Sequence, residues 1–360
     1  MKLNRHLSQV VFVLVLLSGP VLKPPGLLAA SDTLPGQLTD QEFWRLIDQF
    51  SEPDGYFRSD NLLSNEKWMQ YVIPELLRDT KPGGVYLGVG PEQNFTYIAA
   101  LKPKMAFITD IRRDNMCTQL MYKALFELST DRAEFVARLF SRKRPTGLDS
   151  KSTAESIFSA YAEAEKSDET AYSENLKAIK DLLVIKHGFP LLPRDLAIID
   201  HIYNTFYRFG PDLNYTSSGR SFGARGYFVT YADLMTETDE EGVNHCYLAS
   251  EDNFKFVKEL EEKNLIVPLV GDFAGDKAIR AVGNYLKKHK ATVTAFYLSN
   301  VEWYLNGDTW DSFCANVATL PLDEKSTFIR AERRFGRGPY GGLNTSLGAM
   351  QSETKHCRDR

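Results

Sequence analysis

Gly83-Gly84-Val85-Tyr86-Leu87-Gly88-Val89-Gly90-Pro91-Glu92-Gln93-Asn94-Phe95-Thr96-Tyr97, followed by Met105-Ala106-Phe107-Ile108-Thr109-Asp110, reads as strand, glycine turn, short helix and a second strand ending in an acid. Val85, Leu87 and Val89 supply the apolar strand text, and the glycines at 88 and 90 let backbone approach a ligand closely. The helix that follows offers free N–H groups in its first turn, and Asp110 can accept hydrogen bonds from a ribose diol. The chemistry implied is a grip on an adenosyl-bearing cofactor. A Gly-x-Gly pair also occurs in ordinary strand-to-helix turns, and Gln93 stands where the third glycine of the dinucleotide fingerprint would be.

Upstream, residues 31–82 read as an N-terminal helical extension. Phe43, Leu46, Ile47 and Phe50 recur at helical spacing behind a capping Asp40, and a second helix is expected over 65–78. Downstream, Leu120, Met121, Ala124, Leu125 and Leu128 predict a helix over 114–129, which closes a first half of the core at 83–129. The alternation lapses over 130–250, a mostly helical insertion with an apolar-periodic helix at Leu196, Ile199, Ile202 and Phe206 and a Gly/Ser-rich loop at 210–226. It resumes over 251–331: a helix at 252–263, a strand at 265–270, the turn Gly271-Asp272-Phe273-Ala274-Gly275, and a helix carrying Ile279, Val282 and Leu286. A strand at 292–298, the turn Ser299-Asn300, a helix at 310–317 and a strand at 327–329 complete this half. Residues 332–360, rich in Arg and Gly, are expected to form an irregular tail. Strands alternating with helices predict an α/β fold: a doubly wound, mainly parallel, Rossmann-like sheet with the extension and the insertion attached.

A chain of 360 residues with 43% hydrophobic content can bury a large core. Its 43 basic and 47 acidic residues, net charge -4, create no global field for nucleic acid, and no nucleic-acid partner is expected. The basic run Arg138, Arg142, Lys143 and Arg144 reads as a solvated face or loop. At the start, Lys2, Arg5 and His6 precede the apolar run 10–17, Pro20 breaks it, and Leu28-Ala29-Ala30 offers a cleavage site. Residues 1–30 thus read as a signal peptide of an exported, periplasmic or secreted chain with no membrane span after cleavage. Four cysteines, widely spaced and without a Cys-x-x-Cys pair, point to no zinc site and to mostly isolated thiols.

Asp110 and Asp272 both follow strands, at the edge where open α/β sheets bind ligands. With these residues together, the chain resembles the Rossmann-like (class I) S-adenosylmethionine-dependent methyltransferase superfamily and is most similar to an uncharacterised bacterial family of that fold, whose hallmark is the run 84–115. The resemblance covers 83–129 and 264–331. It implies S-adenosyl-L-methionine as cofactor, with Gly88 and Gly90 against the methionine part, Gln93 in the third-glycine position as a further cofactor contact, Asp110 on the ribose hydroxyls and Asp272 on the adenine amino group. Phe273 would pack on the ring, and Ser299 would mark the fourth strand's end. Tyr86 replaces the acid that usually opens the glycine motif, and Ser299-Asn300-Val301-Glu302 lacks the Asn/Asp-Pro-Pro-aromatic signature of amino-group methylation. No catalytic residue is named, and the substrate stays open.

Other residues carry two readings each. Arg112 and Arg113 would clamp an anionic substrate or engage nearby carboxylates. Asp200-His201 would supply a base or a structural histidine, and Tyr203, Phe206, Tyr207 and Phe209 would line a pocket or pack the core. His245-Cys246, expected on a strand, would point to opposite faces and not converge. The loop 217–226 would be a lid, an anion-binding loop or a linker. Two functions follow: a methyltransferase-like enzyme using this cofactor, or an exported, non-catalytic binding protein on the same scaffold, which suits the signal peptide because the cofactor is made in the cytosol.

Overall fold

The computed structural model describes residues 32–166, 168–219, 228–333 and 343–357; the predicted signal peptide and part of the 217–226 loop lie outside them. In chain order these residues form α1 (Asp40–Phe50), α2 (Ile73–Asp79), β1 (Val85–Gly88), α3 (Gln93–Leu101), β2 (Met105–Asp110), α4 (Arg113–Leu128) and α5 (Arg132–Phe140). The helical stretch between the sheet halves continues with α6 (Ala154–Ala162), α7 (Glu169–Asp181), α8 (Pro193–Phe209), α9 (Tyr231–Thr236) and α10 (Glu251–Glu262). Then come β3 (Ile266–Val270), α11 (Ala278–Lys288), β4 (Val293–Ser299), α12 (Asp308–Val317), β5 (Thr327–Arg333), β6 (Leu343–Ala349) and α13 (Met350–Lys355).

The strands make one six-stranded sheet in the order β3-β2-β1-β4-β5-β6. The first five are parallel to their neighbours, and β6 runs antiparallel to β5. The fold is therefore α/β with a mostly parallel sheet. Every residue of β1, β2 and β3 is buried, as continuous apolar strands covered on both faces must be. The chain leaves β1 toward β2 and β3, then returns to pair β4 with the other side of β1. The connections before and after that reversal diverge, which opens a crevice at the carboxyl ends of β1 and β4.

Three sequence expectations are corrected here. Within 65–78 only the part from Ile73 onward is α-helical, because Pro74 sits in the first turn, where its fixed φ starts a helix and its missing N–H costs nothing. The tail is not irregular: β6 pairs with β5 over seven residues, a non-local pairing that Leu343-Asn344-Thr345-Ser346-Leu347-Gly348-Ala349 does not announce by apolar alternation. A disulfide between Cys314 of α12 and Cys357 then fastens the end of the chain, against the expectation of mostly isolated thiols. Cys117 and Cys246 are free and buried, and burial pushes both thiols up, away from reactivity.

One charged cluster joins the N-terminal extension to the helical stretch. The His187 ring lies between Asp40 (Nδ1, 2.8 Å) and Glu127 (Nε2, 2.9 Å), and Glu127 also meets Lys123 at 3.0 Å and Lys186 at 2.8 Å. Burial pushes the Glu127 carboxyl up, but His187, Lys123 and Lys186 together overcome it and hold it at about 2. Because that value lies below the ordinary 4.5, the stabilisation is complete above pH 4.5 and is lost as pH falls through about 2. Glu127→Gln is expected to destabilise the neutral-pH protein by about 3 kcal/mol. In denaturation midpoints followed by circular dichroism, the gap between variant and wild type should shrink below pH 4.5 and close near pH 2.

Candidate functional site

The glycine turn is built from its own chain and from α4. Asn94 donates from Nδ2 to the carbonyls of Val89 (3.0 Å), Gly90 (3.2 Å) and Pro91 (2.8 Å), and Gln119 donates to Gly90 (2.9 Å) and Pro91 (3.2 Å). The Tyr86 hydroxyl donates to Asn94 Oδ1 at 2.9 Å, so Tyr86 orients the side chain that holds the turn. A Cβ on Gly88 would stand 1.9 Å from Asn94 Oδ1; the group that comes close to this glycine is therefore Asn94. Gly90 has a φ of +78, which favours glycine.

With its carbonyls thus engaged, the turn presents Val89, Gly90, Pro91 and Gln93 to a cavity of about 390 Å³ in the β1/β4 crevice. Of the residues singled out from the sequence, Gly90, Gln93, Asp110, Asp272, Phe273 and Ser299 line this one cavity, and Gly88 does not. Asp110 is buried; its Oδ1 accepts from the Arg112 N–H at 2.9 Å and lies 3.3 Å from the Arg112 guanidinium. Asp272 is exposed and accepts from Ala274 N–H at 2.9 Å, while Phe273 stacks on Phe296 with ring centroids 5.6 Å apart. Ser299 has a φ of +50, a strained conformation for a residue with a Cβ, at the bend that brings Asn300 and Val301 to the same cavity.

The other wall comes from the segment between α1 and α2, which contributes Tyr56, Phe57, Asn61, Leu63, Ser64, Asn65 and Glu66. Carboxylates pin this segment over the strand ends. Glu52 accepts from the N–H groups of Asp272, Lys277 and Ala278, each at 2.8 Å, and Asp54 accepts from Arg113 N–H at 2.8 Å. Glu66 Oε1 accepts from the hydroxyls of Tyr297 and Ser299, both at 2.5 Å, and Gln93 Nε2 donates to the Tyr297 oxygen at 3.1 Å. Burial raises the Glu66 carboxyl and pushes that of the adjacent Glu92 up to about 8. Sequence reading missed this wall because a non-periodic loop shows no position in space. The one available signal was its acid and aromatic content beside Asn61 and Asn65.

The remaining sequence candidates lie elsewhere. Arg112 donates to the Asp60 carbonyl and Arg113 makes a two-pronged pair with Asp195 (2.6 and 2.8 Å), so both engage protein groups and neither lines the cavity. Asp200 pairs with Lys180, and Tyr203 is a core residue whose hydroxyl donates to the Arg138 carbonyl. His245 and Cys246 lie in no strand: His245 pairs with Asp239 at 2.7 Å and Cys246 Sγ reaches the Met235 carbonyl. Within the basic run, Arg138, Lys143 and Arg144 are paired with Glu134, Glu165 and Asp131, and Arg142 donates to the Tyr207 carbonyl. Among the described residues no cluster of three or more His, Cys, Asp or Glu could hold a metal, and no helix is long and apolar enough to cross a membrane.

The chain belongs to the family described as a domain of unknown function, DUF7790, whose model matches residues 62–342. No curated protein matches it.

Gly88→Ala is expected to displace Asn94 and loosen the glycine turn, at a cost of about 2 kcal/mol in stability. An unchanged urea midpoint would contradict the packing described.

Proposed function

We propose that this protein is a methyltransferase-like binder of S-adenosylmethionine, built on a doubly wound Rossmann-like sheet, with the cofactor in the β1/β4 cavity. The observation that carries the reading is the chemistry of the lining. Gly90, Gln93, Asp110, Asp272, Phe273 and Ser299 converge from four strand ends, and no Lys, Arg or His lines the cavity among the described residues. A phosphate-bearing nucleotide needs cations or clustered N–H donors. A ribose diol, an ammonium and a sulfonium need acceptors instead, and the cavity offers Asp110, Asp272, Glu66 and the buried, unpartnered oxygens of Gln93 and Asn61; the single α-carboxylate would fall to neutral donors of the lining such as the Asn65 and Asn300 amides. The volume falls within the range of about 300–1,000 Å³ usual for small-molecule sites. The strand order β3-β2-β1-β4-β5 and the reversal at β1 support the same reading.

Bound S-adenosylmethionine supplies an electrophilic methyl group on a sulfonium. Asp110, with Oδ1 fixed by Arg112, would accept from the ribose hydroxyls, and Phe273 would pack beside the adenine. Methyl transfer depends chiefly on in-line approach, so positioning by the cavity walls would supply much of the rate without a dedicated base. The substrate and the acceptor atom are outside this reading.

The Cys314–Cys357 disulfide favours a second reading, an exported binding protein that uses the same cavity without transfer, because disulfides persist in oxidising compartments. Cleavage near Ala30 and recovery outside the cytosol would select it. The first reading is tested by calorimetric titration of wild-type protein and Asp110→Ala with S-adenosylmethionine. Binding by wild type that is abolished in the variant is the expected result; equal affinity would overturn the assignment.

A further inference from the structure

Glu66 is a buried acid of the cavity wall. It is 1% exposed, lines the cavity and comes from the segment before the sheet. Its Oε1 is fixed by two hydroxyl donors, Tyr297 and Ser299, while Oε2 is buried with no partner. A buried acceptor left unsatisfied costs about 1–3 kcal/mol, and a glutamine or an apolar residue would fill the same space without a carboxylate's desolvation. The groups that face Glu66 electrostatically are Tyr86 of β1, Glu92 of the glycine turn, Tyr97 of α3, and Tyr297 with Ser299 of β4; none is cationic. Gln93 Oε1 and Asn61 Oδ1 are further unpartnered acceptors on the same cavity wall.

We infer that Glu66 is the carboxylate that receives the positively charged end of the ligand, with Gln93 and Asn61 taking its remaining hydrogen-bond donors. The inference rests on the proposed cofactor reading and adds to it a residue that the glycine motif does not contain. The cavity then has two ends. Asp110, Asp272 and Phe273 would hold the nucleoside at one, and Glu66 stands at the β1/β4 end, bonded by Ser299 and by the Tyr297 hydroxyl that Gln93 also reaches. Burial raises the Glu66 carboxyl and favours its neutral form, so an arriving cation is what makes its ionised form favourable. Tyr297 and Ser299 hold the carboxyl in one rotamer in either state.

The charge on the ligand has two sources, the α-ammonium and the sulfonium, and three probes separate them. S-adenosylmethionine carries both, S-adenosylhomocysteine only the ammonium, and 5′-methylthioadenosine neither. Each is titrated calorimetrically into the full-length wild-type protein and into Glu66→Gln, which keeps an acceptor for Tyr297 and Ser299. The expected result is a loss of at least tenfold in S-adenosylmethionine affinity with 5′-methylthioadenosine unchanged. A parallel loss for S-adenosylhomocysteine assigns the ammonium, and no loss for it assigns the sulfonium. Equal changes for all three probes, or no change for any, would overturn the inference and leave the cofactor reading standing. Wild type that binds none of them overturns both. Should Glu66→Gln fail to fold, wild type alone decides: S-adenosylmethionine must weaken relative to 5′-methylthioadenosine as falling pH protonates the Glu66 carboxyl, and a ratio constant over the whole pH range in which the protein stays folded is the contrary result.

Discussion

The reversal of strand order at β1 is the constraint on which the rest of this molecule depends. A sheet that grows from β1 to β3 on one side and from β4 to β6 on the other cannot close its carboxyl edge between β1 and β4, because the connecting segments leave in opposite directions. The chain fills part of that gap with the segment between α1 and α2, which has no regular structure of its own. Glu52, Asp54 and Glu66 fix it by accepting from backbone N–H groups and hydroxyls at the ends of three different strands and helices. What remains open is a cavity whose one wall is the glycine turn and strand ends and whose other wall is this pinned segment.

The polarity of that cavity follows from how it is held. The carbonyls of the glycine turn are occupied by Asn94 and Gln119, the guanidinium of Arg112 lies against Asp110 and donates to the Asp60 carbonyl, and that of Arg113 pairs with Asp195. Both arginines after β2 are thereby kept out of the lining, which leaves carboxylates, neutral amides and hydroxyls, and apolar and aromatic side chains, with no cation among the described residues. A scaffold of this kind takes many ligands, so function has to be argued from the lining groups. These groups favour a donor-rich or cationic ligand over a phosphate.

Much of the sheet was legible because its strands are short apolar runs closed by glycine or acid: 85–89, 105–110, 265–270 and 292–298 each coincide with a strand to within a residue or two. β6 was not, since all of its residues but Leu343 and Leu347 are small or polar and its order comes from pairing with β5. Asp110, Asp272 and Ser299 were legible as strand ends, a position that local pattern specifies. Glu66, Asn61 and Tyr56 were not, because what brings them to the site is tertiary: a loop is placed by Glu52 and Asp54, whose partners lie more than fifty residues away. Gly88 shows the opposite error. A glycine in a turn signals a close approach, but sequence does not say whose, and here the approaching atom belongs to Asn94.

The measurement that bears most directly on this account is a pair of titrations of the wild-type protein, one with S-adenosylmethionine and one with adenosine diphosphate, at the same pH and ionic strength. An acceptor-lined cavity without lining cations predicts saturable heat for the first and none for the second. Tighter binding of the diphosphate would contradict it, and would mean that the ligand meets cations the described lining does not contain.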